Sequence, residues 1–211
     1  MDLFELRRDF TLQTLNEEDV PQIPIPLFEQ WLKEAIEAKA LEPNAMNIAT
    51  ATPEGKPSSR TVLLKQVAND GLIFFSNYDS KKGKQIEQNK YCALTFVWHE
   101  LERQVRIEGI VEKTSDTVSD LYFESRPEKS KLGAWASPQS EAIPNREYLE
   151  NLITDFETKF SNKEIARPSN WGGYIVTPYL IEFWQGRSSR LHDRIQYSLE
   201  KNSWKIERLA P

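Results

Sequence analysis

The sequence predicts a mainly β chain with helices, its strands closing into an antiparallel barrel with the helices packed outside. Three observations carry this. Strand-like alternation recurs at 46–76, 91–114 and 172–208. Gly, Asn and Asp cluster at the turns between the runs. A single helical insertion separates the last two strand blocks, rather than the strict βαβ alternation of a doubly wound fold. No G-x-G-x-x-G or P-loop string occurs, which disfavours a Rossmann architecture.

Each element follows from local pattern. Residues 1 to about 15 have helical spacing at Leu3, Leu6 and Phe10. The stretch EEDVPQIPIP carries Pro21, Pro24 and Pro26 and reads as an extended connector. A helix is predicted over about 26–40, with Phe28, Trp31, Leu32, Ala35 and Ile36 on one stripe and Pro26 in the first turn. MNIATAT, SSRTVLLKQV and LIFFSN are strands separated by the turns PEGK and ANDG. A short polar helix, about 80–89, precedes the strand YCALTFVW. RQVRIEGIVEKT alternates well, with Gly109 marking a bulge. Helices follow at about 115–125, 127–136 and 145–160. From Gly172 and Gly173 onward, GGYIVTP, YLIEFWQG, RLHDRIQYSLE and SWKIERL give three or four strands. Residues 1–25 therefore form an arm and connector, and 26–211 a single domain; no repeat or low-complexity segment interrupts it.

Composition narrows the function. Of 211 residues, 27 are Lys or Arg and 32 are Asp or Glu, a net charge of −5. Such a chain is a poor general binder of nucleic acid, so any anionic ligand must be held by local cationic clusters. Cys92 is the one cysteine, which excludes an internal disulfide and multi-cysteine metal centres; within YCALTFVW it reads as a buried small hydrophobe. His99 and His192 are the two histidines, and nothing in the sequence brings them together as metal ligands. No apolar run approaches the roughly 20 residues that span a bilayer, and MDLFELRRDF lacks the apolar stretch of a secretory signal. A cytoplasmic location is the expectation. Trp31, Trp98 and Trp204 are expected to pack in the core.

Several clusters carry candidate chemistry. In RLHDRIQYSLE, an extended backbone would align Arg190, His192, Arg194 and Gln196 on one face. That row could grip a planar anion beside an acid or base; a solvated polar face is the alternative. In YFESRPEKS, Tyr122 and Arg126 share a helix face, and Ser130 falls in the first turn of the next helix. A Tyr hydroxyl, an Arg fork and a Ser hydroxyl make a donor set for a phosphate monoester. In SSRTVLLK, the odd spacing of Arg60 and Lys65 sends them to opposite faces unless the strand bulges. Lys81, Lys82 and Lys84 open a helix and form either an exposed basic turn or a phosphate dock. Gln104 is placed to hydrogen-bond the edge of a heterocycle. There is no G-x-S-x-G elbow. Two anion grips without a nucleophile imply that a cofactor supplies the chemistry.

RTVLLK, FFSNYDSKKGKQIEQN, WHELERQVRIEG, YFESRPEKSKLGAWASPQS, WGGY, IEFWQG, RLHDR and WKIERLAP occur in this order. Together they resemble the pyridoxine/pyridoxamine 5′-phosphate oxidase family, and the resemblance covers the chain from about residue 7 to its end. It implies an FMN-binding split barrel acting as a homodimer, with FMN at the subunit interface. It also implies oxidation of pyridoxamine or pyridoxine 5′-phosphate to pyridoxal 5′-phosphate, with O2 as electron acceptor and H2O2 as product. By motif position, Arg60, Thr61, Val62, Leu63, Leu64 and Lys65 would line the FMN, followed by Phe75 and Ser76. Lys81 and Lys82 would complete its phosphate grip, and Gln104, Gln139, Ser140, Trp184 and Arg194 the remaining contacts. Lys65, Tyr122, Arg126 and Ser130 would bind the substrate phosphate. Arg190, Leu191 and His192 would sit at the substrate ring, with Arg190 and His192 as the catalytic pair. Arg7, Arg8, Asp9 and Phe10 align with an arm that closes over substrate. Relatives of this kind commonly have Glu and Tyr where this chain has Asp9 and Phe10, and Arg where it has Lys81. Two other readings are another split-barrel flavin reductase or oxidoreductase, and a non-catalytic carrier of pyridoxal phosphate.

Overall fold

In the computed structural model, which describes residues 1–5 and 8–211, eight antiparallel strands form one sheet. They are β1 (Ala45–Ala51), β2 (Pro57–Ala68), β3 (Gly71–Asn77), β4 (Tyr91–Trp98), β5 (Arg103–Lys113), β6 (Trp171–Gln185), β7 (Asp193–Glu200) and β8 (Ser203–Arg208). The order is β3-β2-β1-β4-β5-β6-β7-β8, and a second pairing of β3 with β6 closes the first six strands into a barrel. Closure removes free edges from those strands. β7 and β8 continue from β6 outside the ring. β6 manages both roles because its first half pairs with β3 (Trp171 opposite Asn77) and its second with β7 (Gln185 opposite Asp193). The expected bulge is present: the β5–β6 register shifts between Glu108 and Gly109.

The barrel interior is filled by inward residues of alternate positions, among them Ile48, Phe74, Leu94, Phe96, Val105, Ile107, Ile181 and Phe183. Helix α1 (Pro24–Glu37) packs onto this core with Leu27, Phe28, Trp31 and Ala35, with Phe28 edge-on to Phe96 at 5.0 Å and Trp31 to Phe183 at 5.2 Å. It starts two residues earlier than the sequence predicts because Pro24 occupies the first turn, where a missing N–H costs nothing. Trp98 and Trp31 are buried, and Trp204 packs partly buried against the core. Cys92 is buried, and burial pushes its thiol up to about 12, so it is an inert core residue.

Four further helices lie outside the barrel: α2 (Lys81–Gln88), α3 (Asp116–Glu124), α4 (Glu128–Ala136) and α5 (Arg146–Phe160). Ser80, Ser115 and Asn145 cap α2, α3 and α5, each accepting a hydrogen bond from a first-turn N–H.

The helical spacing of the N-terminal arm does not become a helix among the described residues; Leu6 and Arg7 lie outside them. Leu3 is exposed, whereas Phe10 is half-buried on the body of the protein. The buried Glu102 carboxylate instead accepts the Thr11 and Leu12 N–H groups at 2.8 and 3.1 Å, satisfying donors in an extended arm.

Candidate active site

One cleft of about 590 Å³ opens where β2, β3 and the start of α2 meet the end of α3. At one side Arg60 leaves β2 and donates to Ile48 O at 3.3 Å, Thr50 Oγ1 at 2.7 Å and Ser58 Oγ at 2.6 Å. Lys82, buried in the first turn of α2, donates to Ser76 Oγ, Ser80 Oγ (3.0 Å) and Gln139 Oε1 (2.8 Å). All six acceptors are neutral. Burial, and then the charge of Arg60, hold the Lys82 ammonium down to about 8, well below its ordinary 10.5. Two desolvated cations without a carboxylate partner among the described residues form a cradle short of negative charge, which a phosphate group would complete. Lys81 and Ser140 stand exposed on its rim.

The same cleft holds a second cationic end. Phe75 and Tyr122 stack at 3.9 Å, and Trp171 lies nearly parallel to both, at 5.7 Å from Phe75 and 6.2 Å from Tyr122. Arg126 lies over Trp171 at 4.5 Å, and its Nη1 is buried with no hydrogen-bond partner among the described residues. An orphaned guanidinium nitrogen costs free energy until an acceptor arrives. Lys65 reaches this wall too, 6.0 Å from the Tyr122 ring. Odd spacing from Arg60 should have sent it away, but the β2–β3 register shifts between Leu64 and Gln66, and the bulge turns Lys65 into the cleft. Thr61, Val62 and Leu63 line the cleft between the two grips, whereas the Leu64 side chain is buried in the core. Arg126 lies beyond the end of α3, so a 3.1 Å bond from its N–H to Phe123 O, not helical continuation, sets it beside Tyr122. Ser130 is in the first turn of α4, half-buried and outside the lining.

A second group gathers at the far end of β6. The cationic row predicted for a strand face is not built as one. β7 begins only at Asp193, because Ser189 and Arg190 adopt left-handed backbone (φ 55° and 60°) in a 3₁₀ turn, which alternation cannot cross. Arg190 and Leu191 are exposed on that turn. His192 is half-buried, 4.6 Å from Trp184, and its Nδ1 accepts the Arg187 N–H at 3.1 Å. Burial and the charge of Arg190 hold its pKa below the ordinary value. The neutral ring therefore carries its proton on Nε2, as this hydrogen-bond pattern assigns it. Phe10 closes the group, edge-on to both Trp184 and His192 at 5.7 Å. Gly186 permits this, since a Cβ there would stand 2.8 Å from Phe10. Arg8, Asp9 and Phe10 share a cleft with Arg187, Arg190 and His192, while Arg7 lies outside the described residues. Gln104, Trp184 and Arg194 fall in register on β5, β6 and β7; Arg194 is held by both oxygens of the buried Glu182.

Three residues that sequence reasoning missed hold these groups in place. Arg167 ties the Trp171 carbonyl to Asp116 and Asp120 of α3 at 2.6–2.7 Å, fixing the aromatic wall. Glu102, in left-handed backbone (φ 55°), grips the arm. Asp193 accepts from Arg187, Arg208 and the Leu15 N–H. Each acts between segments distant in sequence, so no local motif announces it.

Among the described residues, none lines both clefts. Trp171 and Trp184 stand 13 residues apart on β6, roughly 40 Å along an extended strand. The Tyr122–Arg126 grip and the Arg190–His192 pair of one chain thus cannot hold the same small molecule.

Residues 32–160 match the family profile described as Pyridoxamine 5'-phosphate oxidase, and residues 171–211 the one described as Pyridoxine 5'-phosphate oxidase C-terminal dimerisation region. The Pyridoxine/pyridoxamine 5'-phosphate oxidase of Trichormus variabilis is 54% identical over 208 residues, covering 98% of this chain and 97% of that one. The protein of the same description from Neisseria gonorrhoeae is 52% identical over 211 residues, covering 100% of both. Among solved structures, PhzG from Burkholderia lata 383 in complex with tetrahydrophenazine-1-carboxylic acid superposes with a TM-score of 0.89 at 30% identity, covering 95% of this chain and 100% of that one. A pyridoxamine 5'-phosphate oxidase-related, FMN binding protein from Nostoc punctiforme shares the fold, with a TM-score of 0.70 at 16% identity over 91% of this chain and 100% of that one.

Proposed function

The chain belongs to the pyridoxine/pyridoxamine 5′-phosphate oxidase family, and from that premise we propose that it is a homodimeric, FMN-dependent enzyme that oxidises pyridoxamine and pyridoxine 5′-phosphates to pyridoxal 5′-phosphate. The observation that carries this reading is the pair of cationic ends in one cleft, neither with a carboxylate partner: Arg60 with Lys82, and Arg126 with its orphaned Nη1 beside Lys65. Two phosphorylated ring molecules laid against one another satisfy both. FMN fits the first grip by charge and donor type, with Ser76, Lys81, Gln139 and Ser140 around the phosphate. Thr61, Val62, Leu63 and Phe75 would lie along the ring system, and Gln104, Trp184 and Arg194, at the other end of β6, would supply further contacts from the second copy of the chain. The substrate phosphate fits the second grip, with Lys65, Tyr122, Arg126 and Ser130.

FMN, held by these residues, would supply the two-electron chemistry between the substrate C4′ carbon and O2, by which amine, O2 and water would give aldehyde, ammonia and H2O2. The chain's own groups place the reactants and manage charge. Phosphate grips remote from the reacting carbon convert binding energy into alignment. The charge of Arg190 disfavours the protonated form of the substrate amine, leaving the lone pair that assists loss of hydride. His192, proton on Nε2, donates to a polar edge of the substrate ring and turns C4′ toward the flavin. Phe10, packed on Trp184 and His192, excludes water from that end, and Arg8 and Asp9 extend the arm over it.

Because the two groups stand at opposite ends of β6, the site is completed by a second copy of the chain: the cleft of one protomer faces the Arg190–His192 turn of its partner, with FMN between them. Among the described residues no helix is long and apolar enough to cross a membrane, and the cytoplasm is the proposed location. The purified protein is expected to be yellow, and to release peroxide when pyridoxamine 5′-phosphate is added in air. A colourless protein, or a yellow one inert toward this substrate, refutes the reading.

A further inference from the structure

Behind Arg60 lies a buried amide. Gln85 projects from α2 into the space between α2, β1 and β2, and is only 6% exposed. Its Oε1 accepts two hydroxyl protons, from Thr50 Oγ1 and Ser58 Oγ, each at 2.7 Å. The same two hydroxyls accept from the two arms of the Arg60 fork, Nη1 at 2.7 Å and Nη2 at 2.6 Å. A hydroxyl has one proton and rotates to suit its partners. With both protons directed at Gln85, both sets of lone pairs face the guanidinium. One carbonyl oxygen thus fixes two rotors and, through them, the fork, and it ties Arg60 to the helix that carries Lys82.

The amide also matters for what it lacks. A carboxylate in its place would accept the same two protons while setting a full negative charge one hydroxyl away from Arg60. The grip would then be neutralised from within, and an incoming phosphate would meet repulsion.

We propose that Gln85 is a positioning and specificity-determining residue: it orients Arg60 through Thr50 and Ser58 without neutralising it, and so sets the preference of the cleft for a phosphorylated flavin over the unphosphorylated one. This rests on the assignment of the Arg60–Lys82 grip to the FMN phosphate.

The test titrates the full chain, stripped of flavin and checked by circular dichroism, with FMN and separately with riboflavin, following the quenching of flavin fluorescence. Wild type is compared with Gln85→Glu, which keeps both hydroxyl bonds and adds charge, and with Gln85→Leu, which removes the acceptor. Gln85→Glu is expected to weaken FMN binding about 10- to 100-fold, and Gln85→Leu on the order of tenfold, with riboflavin binding within about threefold of wild type in both. Equal weakening of both flavins would mean general damage to the cleft and overturns the proposal, as does an unchanged FMN-to-riboflavin ratio in the two variants. A wild-type protein that binds both flavins equally overturns the phosphate assignment itself, and the proposal with it.

Discussion

Arg126→Met isolates the second grip. Methionine keeps an apolar stem over Trp171, where the guanidinium now lies at 4.5 Å, but removes the fork and its unpartnered Nη1. A charged hydrogen bond to an ionised partner contributes about 1.5–3 kcal/mol, and a guanidinium facing a phosphate makes one or two. The loss is then about 2–4 kcal/mol, a 30- to 1,000-fold rise in KM for pyridoxamine 5′-phosphate at 1.36 kcal/mol per decade. The contact is remote from C4′ and persists through the reaction, so kcat should fall less than about tenfold. Folding responds in the other direction. Removing a half-buried cation whose nitrogen lacks an acceptor relieves a desolvation cost of about 1–3 kcal/mol, set against about 1 kcal/mol of lost cation–π attraction. The unliganded variant should melt no lower than wild type. Steady-state peroxide release and a thermal melt measure both quantities. An unchanged KM refutes the phosphate role of Arg126, and a collapse in melting temperature shows that the residue is structural instead.

Two further predictions concern the other charged groups. Lys82 binds its proton less readily in the folded chain, so its contribution to stability is largest above 10.5 and is lost as pH falls through about 8. A bound phosphate favours the charged form, so FMN affinity should be greatest below pH 8 and decline above it by up to about tenfold per pH unit. Riboflavin affinity measured over the same range should lack this slope, and a common slope for both flavins contradicts the assignment. Arg190→Ala should cut turnover far more than it weakens FMN retention. It should also move the His192 titration upward, since Arg190 is one cause of its lowered pKa; equal losses of turnover and flavin, or a static acidic limb in the pH–rate profile, argue against the assigned roles.

Much of the fold was legible because hydrophobic alternation and turn chemistry are local signals. The strands at 45–77, 91–113 and 171–208, the polar helix at the SKKGKQ motif and the three-helix insertion all stand within a few residues of expectation. Departures occur where backbone geometry breaks a period. The bulge at Lys65 overturned a face assignment that counting alone gives, and left-handed Ser189 and Arg190 ended the strand reading before Asp193. The arm reads as helical because its apolar spacing is right, yet Glu102, some 90 residues away, takes its N–H groups. The site followed the same division. Residue types and motif order pointed to two anion grips, whereas the Arg126 orphan, the Gln85 relay and the Arg167 clamp exist only once distant segments meet.

The most direct test is a mixed dimer. Chains bearing Arg126→Met and Arg190→Ala, each with a different affinity tag, are co-expressed, and the heterodimer is isolated through both tags. If the site is assembled from two protomers, one of its two sites carries both defects and the other is intact, so activity at limiting substrate should recover to about half that of wild type. A heterodimer whose activity is only the mean of its two defective parents would show that each chain builds its site alone, contrary to this account.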